Sequence, residues 1–151
     1  MKTKAIIYIL FFPLVLTFSS CSRNDPDVIA ERDRNKILEY IEENDLDAIE
    51  LEEGVWVAVT REGAGDHPTE NSVVKLTYTG FLLDDTIFDE GYNAHISLQG
   101  AVRGFRIGVM AFRRGGEGTI LIPSAAGYGE YAYGNIPRNS VLIFDVDIID
   151  F

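Results

Sequence analysis

The residues of this 151-residue chain that could do chemistry are mostly aromatic and aliphatic: Tyr78, Phe88, Asp89, Val102, Phe105, Tyr128, Ile136 and Phe144. An apolar surface tipped by two hydroxyls and a carboxylate suits recognition without bond-making. Other chemistries lack their parts. Gly63-Ala64-Gly65 is not followed by the Gly-Lys-Ser/Thr of a phosphate-binding loop, and no serine lies in a Gly-x-Ser-x-Gly turn. His67 and His95 have no Cys or His at metal-ligand spacing and read as exposed turn residues. Asp145 and Asp147 share one face of an alternating run, which reads as a solvated face. Large apolar residues in a small domain are usually core, and composition alone supports no more than that.

The elements that must position these side chains are legible in outline. Val74, Leu76 and Tyr78 alternate with Lys75, Thr77 and Thr79, which predicts a half-buried central strand over 72–83. Gly80 interrupts it, marking a bulge or a close backbone approach. An acidic turn at Asp84-Asp85 returns the chain through a short extended segment, 86–89, delivering Phe88 and Asp89 beside Tyr78. A strand is expected at 55–60, a brief extended piece at 95–98, and a helix over 101–112, where Val102, Phe105, Val109 and Phe112 recur at helical spacing. Further strands are expected at 119–122 and over 141–151. In the last, Leu142, Phe144, Val146 and Ile148 oppose Asp145 and Asp147. The class is therefore α+β, an antiparallel sheet with one short helix.

Ahead of this domain, which begins near residue 51, lies a helix predicted over 26–43. Asp25-Pro26 supplies its cap and first position, Asn44 a stop, and Ile29, Ile37, Leu38 and Ile41 an apolar stripe. Residues 1–20 hold two lysines, a short apolar run and a small-residue end, which reads as an export signal rather than a membrane span. The sole cysteine, Cys21, follows, so no intramolecular disulfide forms. Residues 21–50 then read as a tether plus the N-terminal helix. The net charge of −11 argues against a nucleic-acid partner.

The order of the motifs adds what composition does not. YTG at 78–80, IFD at 87–89, AVRGF at 101–105, GYG at 127–129, IP at 136–137 and LIFDV at 142–146 occur in sequence. Together they resemble the FKBP-type peptidyl-prolyl cis/trans isomerases over residues 51–151. The resemblance implies a twisted antiparallel sheet wrapped around a short helix, no cofactor, and proline-containing polypeptides as substrates. By motif, Tyr78, Phe88 and Phe144 would line the proline pocket, with Phe105 as its floor and Ala101-Val102 as backbone and apolar wall. Asp89 and Tyr128 would be polar tips, and Ile136 would lie on a covering loop.

Departures are visible as well. Phe105 stands where the family typically has tryptophan. Ala94 and Ile96 stand where an aromatic is often found, and Gln99-Gly100 displaces a glycine. Tyr131 and Tyr133 crowd the loop ahead of Ile136. A wider pocket is expected, with altered affinity for the macrolide ligands of the family. The stretch FSSC at 18–21 resembles the lipobox of bacterial lipoproteins. That implies a lipid on Cys21 (palmitate among its acyl chains) and anchorage at a membrane of the cell envelope, on the periplasmic side or the cell surface. The alternative is an ordinary signal peptide beside a chance cysteine. The function expected is an isomerase assisting the folding of exported or envelope proteins. Two alternatives are a non-catalytic chaperone of the same fold and a lipoprotein whose tyrosine-rich loop docks a partner.

Overall fold

A computed structural model describes residues 25–151. The expected leader and Cys21 lie outside the described residues. Helix α1, Pro26–Glu43, starts as its sequence dictates: the Asp25 side chain accepts from the Asp27 amide, and Pro26 takes the first turn. At the other end the Asn44 side chain donates to the Tyr40 carbonyl.

Six strands follow: β1 (Ala48–Glu50), β2 (Trp56–Arg61), β3 (Val73–Phe81), β4 (Ile87–Ser97), β5 (Glu117–Ile122) and β6 (Leu142–Asp150). They form one sheet in the order β1-β2-β5-β6-β3-β4, every pair antiparallel. Helix α2, Arg103–Val109, lies against one face. On that face Leu76, Ile120, Leu142, Val146 and Ile148 pack with Phe105, Val109 and Phe112 in a single buried cluster. Asp145 and Asp147 point the other way, as alternation requires, accepting from Thr119 and Arg61.

The opposite face is not bare. Ile37 of α1 is fully buried against Leu121, Val141 and Ile143, with Tyr40, Ile41, Trp56 and Phe81 around them. The sheet is thus covered on both sides, by α2 beneath the cleft described below and by α1 behind it. Leu38, expected in the apolar stripe, is 38% exposed, and the buried positions of α1 are Ile29, Asp33 and Ile37. Among the described residues no helix is long and apolar enough to cross a membrane.

Three differences from the sequence expectation have a plain physical reason or consequence. The two short pieces at 86–89 and 95–98 are the ends of one 11-residue strand, β4. As the sheet's edge, β4 buries neither face fully, so its middle residues carry no hydrophobic alternation. Strand β1, only three residues long, adds to the sheet ahead of residue 51. Helix α2, expected over 101–112, begins two residues later because Ala101 and Val102 are extended, and ends three residues earlier, at Val109.

Ile37→Ala should lower the stability of the whole chain by about 2–5 kcal/mol, the cost of a large-to-small change at a fully buried site. Denaturant unfolding followed through Trp56, the sole tryptophan, would measure it. A loss below about 0.5 kcal/mol, the range of ordinary surface changes, would mean that α1 is not part of the folded unit.

Candidate functional site: an aromatic cleft with polar tips

Three strands converge at Gly80. Its partners are Asp89 on β4 and Phe144 on β6. A Cβ at position 80 would stand 2.7 Å from both the Phe144 and Phe88 rings, so this position has no room for a side chain. The same holds one step along. Gly91 pairs with Tyr78, and a Cβ there would approach the Tyr78 ring to 2.4 Å. Two glycines therefore let four aromatic rings gather where side chains would otherwise push the strands' contents apart.

The rings meet edge to face, except for Tyr78 and Phe144, which are tilted by 50°. Phe105, from α2, lies 4.8 Å from Phe144 between centroids, and Phe88 lies 5.4 Å from Phe144 at 86°. Tyr78 stands 6.0 Å from Phe105 and 6.3 Å from Phe144. These are the separations at which aromatic pairs attract beyond their buried area. Phe105 and Phe144 are each only 5% exposed, so the floor beneath the cleft is apolar and nearly dry.

Above this floor opens a cleft of about 420 Å³, lined by Tyr78, Asp89, Ala101, Val102, Phe105, Tyr128 and Phe144, together with His95, Ile96, Ser97 and Gly100. Seven of the nine residues expected to form a pocket are thus brought together. Phe88 and Ile136 are not on its surface. Phe88 packs edge to face against Phe144, and Ile136 is buried in the main core, where its backbone bridges Tyr133. His95 corrects the sequence reading: it sits on β4 at the cleft wall, not in a turn. Because only the two ends of β4 were readable as extended, nothing in the sequence linked His95 to Asp89.

The polar tips form two small systems. The Tyr78 hydroxyl donates to Asp89 Oδ2 at 3.0 Å. Partial burial, then this hydrogen bond and the Asp89 charge, push the Tyr78 pKa up to about 12. Tyr128 stacks on Tyr133 with centroids 4.6 Å apart and planes 5° from parallel. Burial, with the neighbouring Tyr133 and Asp89, raises its pKa too. Both hydroxyls accordingly stay protonated donors throughout the neutral range. Among the described residues no three His, Cys, Asp or Glu side chains cluster as metal ligands. The cleft can seat a small apolar ring and offer hydrogen bonds to the polar groups flanking it.

An antiparallel sheet folded over a short helix, with an aromatic cleft between them, defines the architecture. The family model described as FKBP-type peptidyl-prolyl cis-trans isomerase matches residues 65–149. The chain belongs to that family. It is 36% identical over 102 residues to the FKBP-type peptidyl-prolyl cis-trans isomerase FkpA of Aeromonas hydrophila, covering 65% of this chain and 38% of that protein. FkpA of Escherichia coli (strain K12) is 32% identical over 101 residues, with 64% and 37% covered. The chain thus spans about two fifths of the length of these relatives.

Among solved structures, FkpA from Escherichia coli superposes with a TM-score of 0.69 at 29% identity, covering 80% of this chain and 60% of that one. A peptidyl-prolyl cis-trans isomerase from Pseudomonas syringae pv. tomato shares the fold, with a TM-score of 0.72 at 23% identity, over 82% and 92% of the two chains.

Tyrosinate absorbance tests the Tyr78–Asp89 contact. A folded-state pKa above the unfolded value of about 10 means that the folded state holds this proton more tightly. The resulting stability is whole below pH about 10 and is lost as pH rises through about 12. The absorbance step missing from Tyr78→Phe should centre near 12. A missing step near 10 would show that Asp89 does not hold the hydroxyl.

Proposed function

We propose that the chain is a peptidyl-prolyl cis/trans isomerase acting on proline-containing segments of exported or envelope polypeptides, with no cofactor. The observation that carries this reading is the nearly dry Phe105–Phe144 floor beneath a cleft whose polar groups all lie at its rim. Family membership supports it.

The site's chemistry follows from the amide. Rotation about an X–Pro bond is opposed by resonance, with a barrier of about 18–20 kcal/mol, and takes on the order of 10–100 s uncatalysed. In the twisted transition state conjugation is broken and charge separation falls. An apolar wall of Phe105, Phe144 and Val102 penalises that form less than the planar one, relative to water, and so binds it selectively. Tyr128 donates to a carbonyl flanking the proline and holds the backbone turned. The Tyr78 hydrogen bond fixes the Asp89 carboxylate at the rim, which supports an orienting role for Asp89. No proton is transferred. Phe88 keeps Phe144 upright, and Ile136 anchors the loop that bears Tyr128.

Anchorage through a lipid on Cys21 at an envelope membrane belongs to the same proposal, supported by the FSSC sequence and the leader ahead of it. The full chain should then enter the detergent phase on phase separation. A Cys21→Ser chain should not, and equal partitioning of the two would remove the lipid from the reading.

The decisive experiment follows cis-to-trans relaxation of Xaa-Pro tetrapeptides with the detergent-solubilised full chain. Asp89→Ala and Phe144→Ala should each lower kcat/KM about tenfold or more, at least about 1.4 kcal/mol of transition-state stabilisation, with unchanged circular dichroism. A macrolide should compete, more tightly against Phe105→Trp, which restores the bulk the floor lacks. A folded wild-type chain that accelerates nothing would overturn the isomerase in favour of a binding module.

A further inference from the structure

The back of the sheet holds a polar device that the cleft does not explain. Asp33, in the middle of α1, is completely buried. Its Oδ2 accepts from both the amide and the hydroxyl of Ser124, which is itself 1% exposed. Its Oδ1 accepts from the Arg32 guanidinium at 2.7 Å. Successive residues of a helix point in different directions, so the Arg32 side chain must fold back to make this contact. From there it also donates to the Asn139 carbonyl at 3.0 Å.

Ser124 and Asn139 are the two ends of the loop that carries Tyr128. The loop's own backbone closes the circuit: Gly129 N–H donates to the Ser124 carbonyl at 2.8 Å, and Asn139 N–H donates to the Gly129 carbonyl at 2.7 Å. The result is a ring of hydrogen bonds running Arg32, Asp33, Ser124, Gly129, Asn139 and back to Arg32. Gly129 adjoins Tyr128. The only ionised members of the ring come from α1, and a buried carboxylate with every acceptor site engaged is costly to disturb.

We propose that Arg32 and Asp33 are positioning residues that clasp both ends of the 124–139 loop from behind the sheet, and so set where Tyr128 stands over the cleft. The N-terminal helix is then a working part of the substrate site rather than only a spacer from the membrane. This rests on the isomerase reading for its kinetic consequence, but not for its structural one.

The test uses the detergent-solubilised full chain with Arg32→Gln, since Arg32 is partly exposed and a glutamine amide can still donate to the Asp33 carboxylate, with circular dichroism to confirm the fold, and Arg32→Lys as the conservative variant. Arg32→Gln should speed amide hydrogen exchange at Gly129 and Asn139. It should also raise KM for Xaa-Pro peptides about three- to tenfold, the scale of one ordinary net hydrogen bond, while kcat changes less. Arg32→Lys, which still offers a cation to the Asn139 carbonyl, should recover part of this. The penalty of Tyr128→Phe should shrink in the Arg32→Gln background, because the hydroxyl it removes is already misplaced. An unchanged KM, or a Tyr128→Phe penalty that is the same in both backgrounds, overturns the proposal whatever the exchange rates do. A wild-type chain without turnover overturns the isomerase reading instead. The clasp is then decided by exchange at Gly129 and Asn139, and rates equal to wild type would refute it.

Discussion

Everything in the cleft depends on the absence of a side chain at Gly80. That position faces Asp89 on one neighbouring strand and Phe144 on the other, and the rings of Phe88 and Phe144 fill the space a Cβ would need. Strand pairing fixes the register, register brings the rings together, and the rings exclude water from the floor. Gly91 extends the same economy to Tyr78. The polar tips can then act at the rim because nothing polar competes with them below.

The sheet has two working faces, and β6 joins them. Phe144 looks into the cleft, while its neighbour Ile143 looks into the cluster under α1. A helix packed behind the sheet is therefore one residue removed from the floor in front of it. The buried Asp33 ties that helix to the loop from which Tyr128 projects. Apolar packing holds α1 against β5 and β6.

Much of this was legible in the sequence, and what was not had physical causes. The caps of α1 are written in Asp25-Pro26 and Asn44, and the alternation of β3 and β6 is clear because each buries one face. Strand β4 is readable only at its ends, since an edge strand exposed on most positions has no pattern to select, so Asp89 at one end and His95 at the other read as belonging to separate pieces. Seven pocket residues could be named because their types and order survive in the motifs. Phe88 and Ile136 could not be separated from them, because a residue packed against the pocket's lining has the same composition as one on it. Asp33 was hidden differently. It lies at the midpoint of the Ile29–Ile37 stripe, where a carboxylate reads as solvated unless one knows its partner, Ser124, far along the chain.

The strand order has a consequence for how such a chain is born. Of the six strands described, β6 comes last in chain order, yet it lies in the interior of the sheet, between β5 and β3. A chain emerging with its N-terminus first can pair β3 with β4, and β2 with β5, but these two halves share no strand until Leu142–Asp150 arrives. Nor has α1 its docking surface before then, because Val141 and Ile143 are two of the three buried residues it covers. Such late, long-range closure is slow and leaves unpaired edges exposed meanwhile. Completion of the sheet therefore waits on β6, and a chain cut short before Leu142 would present two open half-sheets instead of a slightly smaller one.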